Sequence, residues 1–440
     1  MMEVLDAIPP SLAERKPDMF LARPSLLAVV LAIASCSWLS AAESFQLKVA
    51  QQGDGQRAVP LKVDVTVPKE FANVKVVKLS AEGIEPIIAQ ITGPGLGRHF
   101  EDPLAREIHF VIPKSAVGPA REFTVSTMEN AESLTGFHFQ DEAGKYKDLL
   151  YGDRPVMRYM YEAVDTSSED RRHETMKVYH HLYDPQGEHL LTKGPGGLFQ
   201  HHRGIFYGFN RISYEQDGEK KAADVWHCHK KESQTHEKFV KEEMGPVFAR
   251  QILEIDWNGQ DGKTFATELR EMSVYHVEGV QVIDFASQLV AKADNLKLDG
   301  DPQHAGFQYR ATQHVPDKTA KQTYYVRPDG KGEPGKFRNW PNDQEHINLE
   351  FNALSFVAFD QRYTCCYLDS PENPKPARFS ERDYGRFGSY FATHVSKEEP
   401  LDLHYRLWLE PGELEVAQVQ QLRDDFVTPP KVTVEMGNRS

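Results

Sequence analysis

The chain has 440 residues, of which 40% are hydrophobic and 26% charged. That balance argues against a disordered protein, and the length favours two domains over one core. Lys and Arg total 51 against 65 Asp and Glu, a formal charge of −14. No basic stripe interrupts it, which excludes nucleic acid as a partner and leaves a surface that repels an anionic membrane.

The first feature in chain order is the apolar run Leu26–Trp38, LLAVVLAIASCSW. It is shorter than the roughly 20 residues of a spanning helix. Arg23 precedes it and Ser40-Ala41-Ala42 follows, the pattern of a signal peptide cleaved before Glu43. Residues 1–42 are therefore expected to be removed, with Met19 as an alternative start. The protein is expected in the periplasm or outside the cell, with no integral membrane span in the mature chain. Ile33-Ala34-Ser35-Cys36 gives a second version of export, a lipoprotein anchored at Cys36. Cleavage after Ala42 leaves only Cys228, Cys365 and Cys366, and no CxxC occurs, so neither a disulfide framework nor a zinc ribbon is expected.

Residues 44–150 read as short strands. LKVDVTV at Leu61–Val67 alternates, as do IHFVI at Ile108–Ile112 and EFTV at Glu122–Val125, with the turn sequences QQGDGQ and GPGLG between strands. This predicts a small N-terminal β-sandwich. From Gly152 the strands lengthen. Val247–Lys292 reads as three long strands joined by NGQDGK and by Glu278-Gly279. INLEFNALSFVAF, YTCCYL, GSYFATHV and LDLHYRLWL add more, and EVAQVQQLRDDF alone has helical periodicity. The expected fold is all-β, with a large antiparallel β-sandwich over residues 151–426 and a tail from 427 to 440.

Nine of the 18 histidines fall between His173 and His236, where even spacing would place about 2.6. That window holds FQHHRGIFYG (Phe199–Gly208) and DVWHCHK (Asp224–Lys230). HAGFQYR (His304–Arg310) and FSERDYGRFGSYF (Phe379–Phe391) follow. On an extended strand His227 and His229 share a face with Cys228 turned away, which makes them a metal-ligand pair; two histidines bonded to ordinary neighbours are the bland alternative. His201 and His202 would alternate, one entering a pocket and one bracing the fold. Arg203, Arg310 and Arg382 are fork donors suited to a carboxylate, a sulfate or vicinal hydroxyls. Trp226 and Tyr384 are candidate stacking platforms.

The motifs HHRGIFYG, DVWH, HAGFQYR and RDYGRFGSYF resemble a bacterial family of unknown function, often labelled methane oxygenase PmoA or PmoA-like, over roughly Pro155–Gly412. The usual family form places Asp-His-Pro before the double histidine, where Leu198-Phe199-Gln200 stand here. A true methane oxygenase subunit carries several membrane-spanning helices, and this chain has none after its apolar run. The family is similar in strand layout to the galactose-mutarotase-like supersandwich, which implies sugar chemistry by analogy of fold.

Together these features lead to the expectation of a secreted carbohydrate-active enzyme, of lyase, epimerase or hydrolase type, acting on a saccharide or uronic-acid-type small molecule. His202, His227 and Glu381 are its acid/base candidates. Arg203, Trp226, His304, Arg310, Arg382 and Tyr384 would bind the substrate. A rival expectation makes the site a metal centre, with His201, His227 and His229 holding a divalent zinc, iron or copper ion. A third is a non-catalytic envelope protein that binds glycans or serves a structural role.

Overall fold

Alternation along Leu61–Val67 becomes burial: in the strand Val59–Thr66, Leu61 and Val65 are buried while Lys62 and Asp64 face out. The computed structural model describes residues 44–51, 57–98 and 101–436; the expected signal segment, with Met19 and Cys36, lies outside them. The described chain is all-β, as its patterning implied. It forms antiparallel sheets of seven, eight, four and nine strands, with two short α-helices, Glu169–Thr175 and Val416–Val427. Among the described residues no helix is long and apolar enough to cross a membrane.

The seven-stranded sheet begins with Val59–Thr66 and ends with Phe45–Val49 and Val432–Met436. It curls around its own core of Phe45, Leu47, Leu79, Ile108, Phe110 and Phe123, and its two edge strands approach each other. Two boundaries differ from those expected. Phe137–Glu142 and Tyr146–Tyr151, placed by sequence in the first domain, pair into the eight-stranded sheet instead. Residues Val432–Met436, expected to belong to a tail, form a strand in register with Phe45–Val49.

The nine-stranded sheet holds the three long strands, Phe248–Asn258, Thr264–Val277 and Val280–Ala291, joined as the turn sequences predicted. It is covered on both faces. Cys365, Tyr367, Leu407 and Leu409 face the eight-stranded sheet, while Cys366, Leu368 and Trp408 pack with Val419 and Leu422 of the C-terminal helix. Adjacent cysteines thus point to opposite sides of one sheet, and all three cysteines of the described chain are free and buried. The helix starts with a capping box, Glu415 and Gln418 bonding each other's backbone N–H.

The eight-stranded sheet positions the histidines. In Ala305–Arg310 and Ile205–Phe209, the residues Phe307, Tyr309, Ile205, Tyr207 and Phe209 enter the core shared with the nine-stranded sheet. By the two-residue period of a strand, Phe206, Gly208, Gln308 and Arg310 face the other way, and the site is built on that face.

Candidate functional site: a histidine cluster on the eight-stranded sheet

Three turns bring the histidines over this face. The first, residues 193–204, carries the pair. Gly204 ends it, and a side-chain carbon there would lie 2.1 Å from the His180 carbonyl oxygen, so only glycine lets the chain enter the strand beneath. Phe199 has a left-handed backbone (φ 55°), a strained state for an aromatic residue, and its carbonyl accepts from the His202 N–H at 2.9 Å. Two buried lysines hold the backbone. Lys177 donates to the carbonyls of His201 (3.0 Å) and Trp226, and Lys193 to that of His202 (3.2 Å). Burial pushes both ammonium groups down to about 7.

The other two turns share one design, Asp-x-x-His. Asp224 accepts from the backbone N–H groups of Trp226 and His227 and, through its second oxygen, from His227 Nδ1 at 2.8 Å. Asp301 accepts from the Gln303 N–H and from His304 Nδ1, also at 2.8 Å, and Asn210 holds its other oxygen at 2.6 Å. Each carboxylate accepts from Nδ1 of its imidazole, which fixes the ring and leaves Nε2 as the nitrogen that can meet a ligand. Hydrogen bonds to His227 hold Asp224 below the usual carboxylate range against its burial, and Asp301 is held lower still by His304.

The rings converge. The His201 centroid lies 4.4 Å from His202, 4.5 Å from His227 and 5.5 Å from His304; His227 and His304 are 4.5 Å apart. One nitrogen from each of His201, His202 and His304 lies within 4.8 Å of the others. Ligands held about 2.0–2.1 Å from one ion stand roughly 3.4 Å apart, so binding would draw that triangle inward. His202 is buried with neither ring nitrogen partnered, and Nε2 of His201 also lacks a partner in the chain. Burial and the neighbouring Lys177 push His201 down to about 2. Burial, then Arg386, hold His202 well below its usual range. Both are therefore neutral, the form that binds a metal.

The sequence candidates separate on this geometry. His201, His202, His227 and His304 come together; both members of the double histidine enter the cluster rather than one. His227 and His229 sit in a turn, not a strand, with Cys228 at φ 54°. Asp224, His227 and His229 form a second, adjacent group of close ligand atoms, in which the carboxylate is already engaged by His227. His229 is exposed and stacks on His227 at 4.9 Å; of the expected set, His201 falls in the first of these groups and His227 and His229 in the second.

Arg203 does not face the cluster: it donates to the carbonyls of His173 and Glu174 at the end of the short helix. Trp226 is 1% exposed and packs behind His202 and against Phe206, so it offers no open platform. Glu381 is fully buried, paired with Arg327 at 2.7 and 2.5 Å and accepting from Asn352, which removes it as a base. Arg382 bonds Asn339 and its own chain. Tyr384 does reach the site, 6.2 Å from His202 and nearly parallel to it, with Arg310 lying 4.8 Å over its ring. Three further residues shape the site without having stood out in the sequence: Phe199, which is 44% exposed and 5.1 Å from Tyr384, and the carboxylates Asp224 and Asp301. The repeated Asp-x-x-His spacing was the available signal for the two carboxylates.

The model of a family of unknown function, DUF6807, matches residues 147–424, and the chain belongs to that family. No curated protein matches the chain. Among solved structures it is similar to an alpha-mannosidase from Enterococcus faecalis V583, at 8% identity and a TM-score of 0.44, over 90% of this chain and 46% of that one. It is also similar to a glycosyl hydrolase family 38 protein from Enterococcus faecalis, at 8% identity and a TM-score of 0.42, over 90% and 48%. The chain spans about half the length of each.

Proposed function

We propose that this member of DUF6807 is a metal-dependent enzyme acting on a saccharide, with His201, His202 and His304 as the metal ligands and His227 at the reacting side. One observation carries the reading: imidazoles from turns about 100 residues apart place unpartnered or carboxylate-oriented nitrogens within 4.8 Å of one another. Buried polar atoms without partners are costly, and an ion that accepts their lone pairs removes that cost. Three histidines suit zinc, copper or iron(II) and leave positions open for water or substrate, the pattern of a catalytic rather than a structural site. Such an ion lowers the pKa of a bound water or polarises a substrate oxygen.

The chain's own residues supply the rest. Asp301 orients His304, as second-shell carboxylates orient metal-bound histidines. Asp224 orients His227, whose free Nε2 can accept or deliver a proton beside the ligands. Phe199, exposed next to Tyr384, offers an apolar ring face to the C–H face of a sugar. Elemental analysis of the purified full chain tests the centre. About one divalent transition-metal ion per chain is expected, retained through dialysis and lost in His304→Ala. A protein that holds no such ion even after incubation with zinc, iron(II) or copper(II) would overturn the reading.

A further inference from the structure

Arg310 and Arg386 stand directly opposite each other on neighbouring antiparallel strands, so their side chains share the face that carries the histidines. Like charges in that relation repel, and here both are almost fully buried, at 1% and 0% exposure. Among the described residues neither forms an ion pair with a carboxylate. Arg310 Nη1 donates to the carbonyls of Ala311 and Tyr384, while Arg386 donates to Gln308 Oε1 at 3.0 Å and Ser380 Oγ at 2.8 Å. The chain as a whole carries −14, so this pair is a local reversal of its charge.

Their remaining donors have no acceptor. Arg310 Nε and Nη2 and Arg386 Nε are buried without a partner in the chain, and so is Nε1 of Trp226, whose ring lies 5.9 Å from His202. Every one of these orphans is a donor. A metal satisfies the imidazole lone pairs but offers nothing to an N–H group. What satisfies the donors is a group with several acceptor oxygens and a negative charge, which offsets the repulsion of the two guanidinium groups as well.

We infer that the substrate is an anionic sugar whose oxyanion, a carboxylate or a sulfate ester, is bound by Arg310 and Arg386 beside His202. The sugar rests on the reading above; the anion does not. Calorimetric titration of the purified full chain with glucuronate, glucose 6-sulfate and glucose tests it, with bound metal measured on the same samples. At least one of the two anions is expected to bind about tenfold or more tightly than glucose, the size of a charge-assisted hydrogen bond. The preferred anion identifies the group as carboxylate or sulfate. Arg310→Met should remove the preference and keep the metal, while Arg310→Lys, which keeps the charge but not the fork, should keep part of it. Glucose binding as tightly as both anions, or Arg310→Met preserving the preference, would overturn the inference. Should Arg310→Met not fold, the comparison of the three sugars on the wild-type chain decides alone. Failure of the metal reading looks different: no bound metal, with the anion preference intact.

Discussion

Asp301 accepts a hydrogen bond from His304 Nδ1 at 2.8 Å, and two residues stand between them in sequence. Asp224 and His227 repeat the spacing, the distance and the backbone turn around the carboxylate. An aspartate that closes a turn on its own backbone has few remaining conformations, so it fixes the imidazole it holds without the entropy that a longer side chain would lose. Two such turns face each other across the cluster, and the double histidine completes it.

Replacing Asp301 with asparagine removes the negative charge that His304 Nδ1 faces, and sets the new amide N–H against a donor, either that of Asn210 or those of His304 and Gln303. The expected result is a metal affinity lower by about 10- to 100-fold, with the melting temperature nearly unchanged. Competition with a chromogenic chelator measures it, and unaltered affinity would reduce Asp301 to a turn residue.

Phe199→Ala removes a side chain that is 44% exposed, so stability should stay within about 0.5 kcal/mol. Binding of the tightest ligand among glucose, glucuronate and glucose 6-sulfate should weaken by about 0.5–1.5 kcal/mol, or two- to tenfold. A variant that binds as the wild type does would show that Phe199 plays no part in recognition.

Acid should destabilise the fold in a window set by histidines. Burial holds His109 and His181 down to about 4 and His180 well below its usual range. An unfolded chain protonates the same groups near 6.5. Because the unfolded state binds more protons below that value, the stability from these neutral rings is complete above pH 6.5. It is lost as pH falls towards 4, at up to about 1.4 kcal/mol per pH unit for each ring. Chemical denaturation between pH 8 and 4.5 should give a plateau and then a steady fall. A flat profile down to pH 4.5 would mean that these rings gain protons without unfolding.

Glu381→Gln breaks a buried ion pair and leaves Arg327 without its countercharge. The expected cost is about 3–5 kcal/mol by urea denaturation, with bound metal retained at its wild-type ratio. Loss of metal from a variant of undiminished stability would return Glu381 to the functional site.

Much of the fold was legible because burial on both faces of a long strand, or on one face of a short one, leaves a pattern in the residues. Thr264–Val277 and the helix Val416–Val427 lie within a residue or two of where periodicity put them. Val432–Met436 escaped because a short, half-exposed edge strand has little apolar pattern. At the site, the motifs identified the histidines but not their conformations. His227 and His229 looked like strand neighbours because the competing event, capture of two backbone N–H groups by the Asp224 side chain, is local chemistry that overrides a two-residue period. Arg203 and Glu381 misled for another reason. Whether a charge meets a substrate, a helix end or an opposite charge depends on partners such as His173 and Arg327, 30 and 54 residues away, and spacing within a motif says nothing about them.

The pairing of Val432–Met436 with Phe45–Val49 has a consequence for synthesis. The seven-stranded sheet takes its outer strand from the end of the described chain and the next one in from its beginning, so the contact between them is completed only when the last described strand has emerged. Until then Phe45–Val49 presents an open row of backbone donors and acceptors to any nascent neighbour. The eight- and nine-stranded sheets are complete once Pro411 has emerged, so the histidine-bearing sandwich can assemble first and the leading sheet closes behind it.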